Sequence, residues 1–154
     1  MGNRVHVVGI GIVPFTKPGK NEDCDVMGGY AIRAGLGDAG WPYTLVQQTN
    51  AGYVYGDSRS GQSALYRVGI TGIPVVDASN NCAGGSLALW PARQAADAGI
   101  VDCALAVGFE QMHPGELKKH WADRPNPTQR HGDVCDELHG VHENVPNAAR
   151  LNAP

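Results

Sequence analysis

A chain of 154 residues, 42% hydrophobic and 18% charged, is long enough for one ordinary domain and has the composition of a soluble globular protein. A formal charge of −3 with no basic run longer than Lys118-Lys119 argues against a phosphate-backbone partner, so no nucleic acid is expected. No apolar stretch reaches the roughly 20 residues that cross a bilayer and the start lacks the regions of a signal peptide, so neither a membrane span nor export is expected.

Val5 to Ile12 is apolar and β-branched before Pro14, Pro18 and Gly19 break the run, which predicts a strand leaving into a loop. Its Gly9-Ile10-Gly11 is an incomplete dinucleotide fingerprint: Pro14 stands where the third glycine belongs, and no helix follows at once. Asp25 is placed to cap a helix from Val26 to Ala39, with Met27, Tyr30, Ala31, Ala34 and Leu36 on a mostly apolar face and Gly40 as its stop.

Ala51 to Tyr55 reads as a short strand, and Ser60 to Val68 as a short helix. The third unit is the clearest, with a strand at Ile73 to Ala78, a helix at Cys82 to Ala98 closed by Gly99, and a strand at Val101 to Phe109. Strand, helix and strand make one βαβ crossover and therefore imply parallel pairing. The helix is apolar around most of its circumference, which predicts burial on several sides. From Gln111 the chain becomes rich in proline, histidine and charge, the pattern of a surface excursion with one helix near Asp133 to His142.

The segment Asn80-Asn81-Cys82-Ala83-Gly84-Gly85-Ser86 puts a cysteine where a buried strand gives way to a helix. In open α/β sheets ligands gather outside the carboxyl ends of the strands, and a helix start offers free N–H groups and positive potential. Both favour a thiolate, the form in which cysteine is a nucleophile; an unperturbed thiol is only about 3% ionised at pH 7. Gly84 and Gly85 cost about 1 kcal/mol each in helix propensity but would leave room beside the sulfur for a bulky acyl thioester. The residues alone leave the alternative of a small buried hydrophobe open.

The four cysteines at 24, 82, 103 and 135 contain no CxxC pair and favour reduced thiols over a disulfide framework. Cys24, Cys103 and Cys135 read as packing or surface thiols, and Glu110 and His113, after a strand end, as loop-packing groups. His131, Cys135, His139 and His142 fall on one face if their stretch is helical. Four ligands along one straight face extend about 16 Å, too far for one tetrahedral ion, so no metal site is expected although two or three could share one.

Several segments together resemble thiolases of the sterol carrier protein X and lipid-transfer type. They are Val8 to Gly11 with Pro14-Phe15 and Lys17 to Gly19, Tyr53 to Ser58 with Ser60-Gly61-Gln62, and Gly69 to Val76. Asn80-Asn81-Cys82-Ala83, Ala92-Arg93-Gln94 and Ala104 to Met112 complete the set, in matching order over nearly the whole chain. Gly84 departs from the pattern, because relatives commonly carry Ser or Thr there.

The resemblance implies an α/β fold: the N-terminal βαβαβαββ half of a thiolase, with a mostly parallel sheet, helices on both faces, and truncation in the loop domain. Residues 1–110 would be the core and 111–154 the start of that loop domain, with the C-terminal thiolase half absent. Cys82 would be the acyl-accepting nucleophile, and its backbone N–H an oxyanion donor.

The implied chemistry is 3-ketoacyl-CoA thiolysis or Claisen condensation in lipid or sterol side-chain metabolism. Acyl-CoA and CoA would be substrates and products, with no bound cofactor and no metal. The family takes its general-base histidine and second cysteine from the missing half, so the isolated chain is expected to be inactive. Expected partners are a second copy, a complementary thiolase half, or an OB-fold protein, in the cytoplasm or, in a eukaryote, the peroxisome. A noncatalytic binding or assembly module is the alternative reading. A steroid side-chain retro-aldolase is a further one, disfavoured because such relatives lack the nucleophilic cysteine.

Overall fold

The computed structural model describes residues 2–114 and 121–139. The chain divides into two units, Met1–Pro114 and Gly115–Pro154.

In the first unit, helix α1 spans Cys24–Ala39, strand β1 Gln48–Gly52, helix α2 Ser60–Tyr66, strand β2 Val75–Ala78, helix α3 Gly84–Asp97 and strand β3 Ala104–Gly108. The three strands form one parallel sheet in the order β2-β1-β3, with Thr49 opposite both Val75 and Leu105, and Ala51 opposite both Asp77 and Val107. Parallel strands joined through helices must cross over, and the sheet accordingly carries α1 and α2 on one face and α3 on the other.

Alternation along the strands sorts the residues between these faces. Ala51 and Val107 join Ile32 of α1 and Leu65 of α2 in a buried cluster, with Leu36, Tyr43, Val68, Ile73, Val75, Leu105 and Phe109 packed around it. Gly52 and Gly108 point the other way, against the start of α3.

Several sequence expectations need correction. Val5 to Ile12 forms no strand; Val7, Ile10 and Ile12 are about three-quarters exposed, at 75%, 74% and 74%. The segment runs beside α1 instead, where the Ile10 N–H donates to Asp38 Oδ2 at 2.9 Å and Gly9 and Gly11 lie against α1 backbone. A strand exists only where another lends it a ladder, and among the described residues none pairs here. A small apolar cavity of about 70 Å³ separates Val8 and Gly9 from Cys103 to Leu105.

Asp23, not Asp25, occupies the N-cap of α1, with no side-chain cap bond. Asp25 lies inside the first turn and pairs with Arg67 at 2.8 Å. The predicted helix end at Gly40 is as expected, since Gly40 takes φ 66 and its N–H bonds the Gly37 carbonyl.

Helix α3 begins at Gly84 rather than Cys82 and buries one stripe, Gly84, Ala88, Ala92 and Ala95, instead of several sides. Leu89 and Trp90 remain 55% and 63% exposed. The strand bounds shift as well: β1 sits three residues before its predicted position, β2 starts two residues late, and β3 is trimmed at both ends.

In the second unit, the Asn126 side chain accepts from the Thr128 N–H and hydroxyl at 2.9 and 2.7 Å, a local turn that leads into helix α4, Gln129–His139. This helix starts four residues before the predicted Asp133. Ahead of the turn, the Arg124 guanidinium stands 5.0 Å from the Trp121 ring centre and clasps Asp123 with two hydrogen bonds.

Candidate functional site

The carboxyl ends of β1, β2 and β3 converge with the start of α3, and glycine allows it. A methyl on Gly108 would stand 3.0 Å from Gly85 Cα, and one on Gly52 would meet the Gly84 carbonyl oxygen directly. Backbone is therefore packed on backbone, closer than any side chain permits. The close approach is required of the strand glycines, Gly52 and Gly108; a methyl on Gly84 or Gly85 would make only ordinary contacts, at 3.4 Å to Tyr53 nitrogen and 3.8 Å to Gly108 Cα.

Cys82 lies in the tight turn between β2 and α3. The turn is closed by Ala83 N–H to Asn80 carbonyl at 3.0 Å and Gly84 N–H to Asn81 carbonyl at 3.1 Å. Asn81 adopts a left-handed backbone, φ 47, one of two non-glycine residues to do so among the described residues; the other is Arg59, φ 74, just before α2. Such conformations cost about 1–3 kcal/mol and concentrate at functional turns. The Cys82 side chain is exposed, two residues ahead of α3, whose first-turn N–H groups have no intrahelical acceptors.

Residues 53–60 form one wall. The Tyr53 ring stacks on Phe109, with centroids 5.3 Å apart and planes 10° apart. Its hydroxyl reaches the Asp57 carbonyl at 3.1 Å and Asp77 Oδ2 at 3.2 Å. Partial burial, and then the Asp77 carboxylate beside it, push the Tyr53 phenol above its ordinary range.

The stretch after β3 anchors three neighbours, with Glu110 in the loop-packing role expected of it. Phe109 continues the β1 pairing through its N–H to the Gly52 carbonyl, at 3.1 Å, and its ring lies against Gly28 of α1. Glu110 accepts from two consecutive N–H groups, Val54 and Tyr55, both at 2.9 Å. Gln111 accepts from the Cys24 N–H at 2.9 Å and donates to Asp23 at 3.3 Å, satisfying the start of α1 that lacks a cap of its own. Sequence offered no partner for Glu110 because both are backbone groups more than 50 residues away.

The other cysteines differ from Cys82. Cys24 and Cys103 are half-buried, and burial pushes both thiols up, with the Asp25 carboxylate adding to the effect at Cys24. On α4, Cys135 Sγ and His131 Nε2 are 3.7 Å apart, one turn along the helix. The His139 side chain and His142 lie outside the described residues, and no group of three metal-binding side chains occurs among the described residues. Among these no helix is long and apolar enough to cross a membrane. A broad, open hollow lined by Thr44, Val46, Gln47 and Thr71 to Pro74 lies at the amino ends of β1 and β2, the opposite end of the sheet from Cys82.

A parallel sheet between helices, with loops gathered at its carboxyl end, is an α/β fold, and solved structures narrow it to the thiolase-like kind. The structure matches 3-oxoacyl-[acyl-carrier-protein] synthase III from Aquifex aeolicus at TM-score 0.53 and 19% identity, covering 62% of this chain and 32% of that one. It matches the priming β-ketosynthase of the R1128 polyketide pathway at TM-score 0.50 and 26% identity, over 59% of this chain and 28% of that one.

In sequence the chain is similar to sterol carrier protein 2. It is 45% identical to the chicken (Gallus gallus) protein over 143 residues and 44% identical to the human one over 141. A nematode relative from Caenorhabditis elegans, named non-specific lipid-transfer protein-like 2, is 37% identical over 153 residues. These alignments take in 92%, 90% and 96% of this chain but only 26%, 26% and 37% of the relatives, so the chain spans about a quarter to a third of their length. No family model matches the chain.

Proposed function

We propose that the chain provides the acyl-accepting cysteine of a thiolase-type acyltransferase that handles acyl-CoA in lipid metabolism. The observation that carries this reading is the position of Cys82: an exposed thiol in a strained turn, at the carboxyl end of a parallel sheet and just ahead of a helix start. The lipid names of the relatives and the acyl chemistry named for the structural neighbours support the same class.

In the reaction, the Cys82 thiolate attacks the keto carbon of a 3-ketoacyl-CoA. The bond between C2 and C3 breaks, acetyl-CoA leaves as its enolate and takes up a proton, and the acyl group stays on sulfur. The thiol of a second CoA, losing its proton, then displaces the acyl group and restores the cysteine. The Cys82 N–H is a candidate donor to the oxyanion, a role whose loss typically costs about 100-fold or more in rate. The general base and the second proton-transfer group come, in this reading, from a thiolase half outside this chain, residues 111–154 begin the loop domain, and the working enzyme is a cytoplasmic or peroxisomal homodimer.

Alkylation in the presence of acyl-CoA tests the reading. Iodoacetamide is expected to label Cys82 ahead of Cys24, Cys103 and Cys135, and prior incubation with a medium-chain acyl-CoA to protect Cys82 alone. Equal labelling of all four thiols, or no protection of Cys82, would overturn it.

A further inference from the structure

We infer that Glu110 is a positioning residue for Cys82. The inference rests on the reading of Cys82 as the reactive group and extends it to the support of its turn.

The turn at Ser79 to Ala83 is flanked on both sides by the backbone of Tyr53. On the β2 side, the Tyr53 N–H donates to the Ala78 carbonyl at 3.2 Å, the last bond before the turn leaves the sheet. On the α3 side, Gly84 lies in van der Waals contact with the same residue: a methyl there would stand 3.4 Å from the Tyr53 nitrogen. Both ends of the Cys82 turn are thus referenced to one residue.

Beyond Tyr53 the chain leaves the sheet, and Glu110 fixes its backbone there. One carboxylate oxygen takes the Val54 N–H and the other the Tyr55 N–H, each at 2.9 Å. Hydrogen bonds to an ionised acceptor are about twice as strong as neutral ones, and two from adjacent N–H groups fix direction as well as distance. Glu110 is itself held two residues from Gly108, the glycine against which Gly85 of α3 is seated. The carboxylate therefore ties the loop after β1, whose Tyr53 borders the Cys82 turn, to the end of β3, against which the start of α3 is seated. Its oxygens are occupied by backbone, so it acts through the loop rather than on a reacting atom.

The test compares alkylation rates of Cys82 by iodoacetamide in the full chain. This readout needs no acyl-CoA: absence of acyl transfer would count against the proposed function and leave the rate comparison readable. Cys82 is already exposed, so a loosened turn gains no access and loses only its placement ahead of the first turn of α3. Glu110→Ala is expected to slow Cys82 roughly threefold to tenfold, a part of the about 100-fold that a 1 Å misplacement can cost. Glu110→Gln, which keeps one acceptor oxygen, is expected to recover part of the loss. Arg67→Ala, which removes the Arg67–Asp25 pair instead, is expected to leave the rate at the wild-type value. A wild-type rate in Glu110→Ala, or an equal loss in Arg67→Ala, would overturn the inference.

Discussion

The carboxyl end of the sheet and the segment from Val5 to Ile12 have similarly apolar sequences and opposite fates. At the first, Gly52, Gly84, Gly85 and Gly108 bring α3 onto β1 and β3, while Phe109, Glu110 and Gln111 each secure a different neighbour. At the second, Val7, Ile10 and Ile12 face outward, and the contact with α1 is made through glycine backbone and one hydrogen bond to Asp38. Apolar, β-branched sequence is only permission to form a strand. What decides is a ladder partner for the N–H and C=O groups and a surface for the side chains.

The sharpest way to break this contrast is to fill the gap between sheet and helix. Gly52→Val forces a side chain into the Gly84 carbonyl, and overpacking against backbone is expected to cost about 3 kcal/mol or more. Thermal unfolding followed by circular dichroism would show the drop; a melting temperature close to wild type would mean that α3 is not seated as described. At the other extreme, Ile10→Ser changes an exposed side chain and is expected to alter stability by no more than about 0.5 kcal/mol. A large loss by the same measurement would show that Ile10 packs against something in solution.

How much was legible in the sequence follows the same division. Helix α1 with its Gly40 stop, the crossover from β2 through α3 to β3, and the placement of Cys82 were readable because periodicity and turn residues are local signals. The fate of Val5 to Ile12 was not, because ladder pairing depends on residues far away in the chain. The exposure of Leu89 and Trp90 escaped for a related reason: an apolar circumference says that a helix can be covered, not by what. Glu110 escaped because its partners are backbone N–H groups, which carry no sequence signature. The seating of α3 was half-legible: glycine was expected to matter at Gly84 and Gly85, whereas the close approaches fall on Gly52 and Gly108 of the strands, which no local pattern marks.

Direct acyl transfer to the chain is the measurement on which the reading of Cys82 turns. After incubation with an acyl-CoA, peptide mass spectrometry should find one acyl group, hydroxylamine-labile as a thioester, on the peptide containing Cys82, and none in Cys82→Ala. Acylation spread evenly over Cys24, Cys82, Cys103 and Cys135, or unchanged in Cys82→Ala, would contradict it.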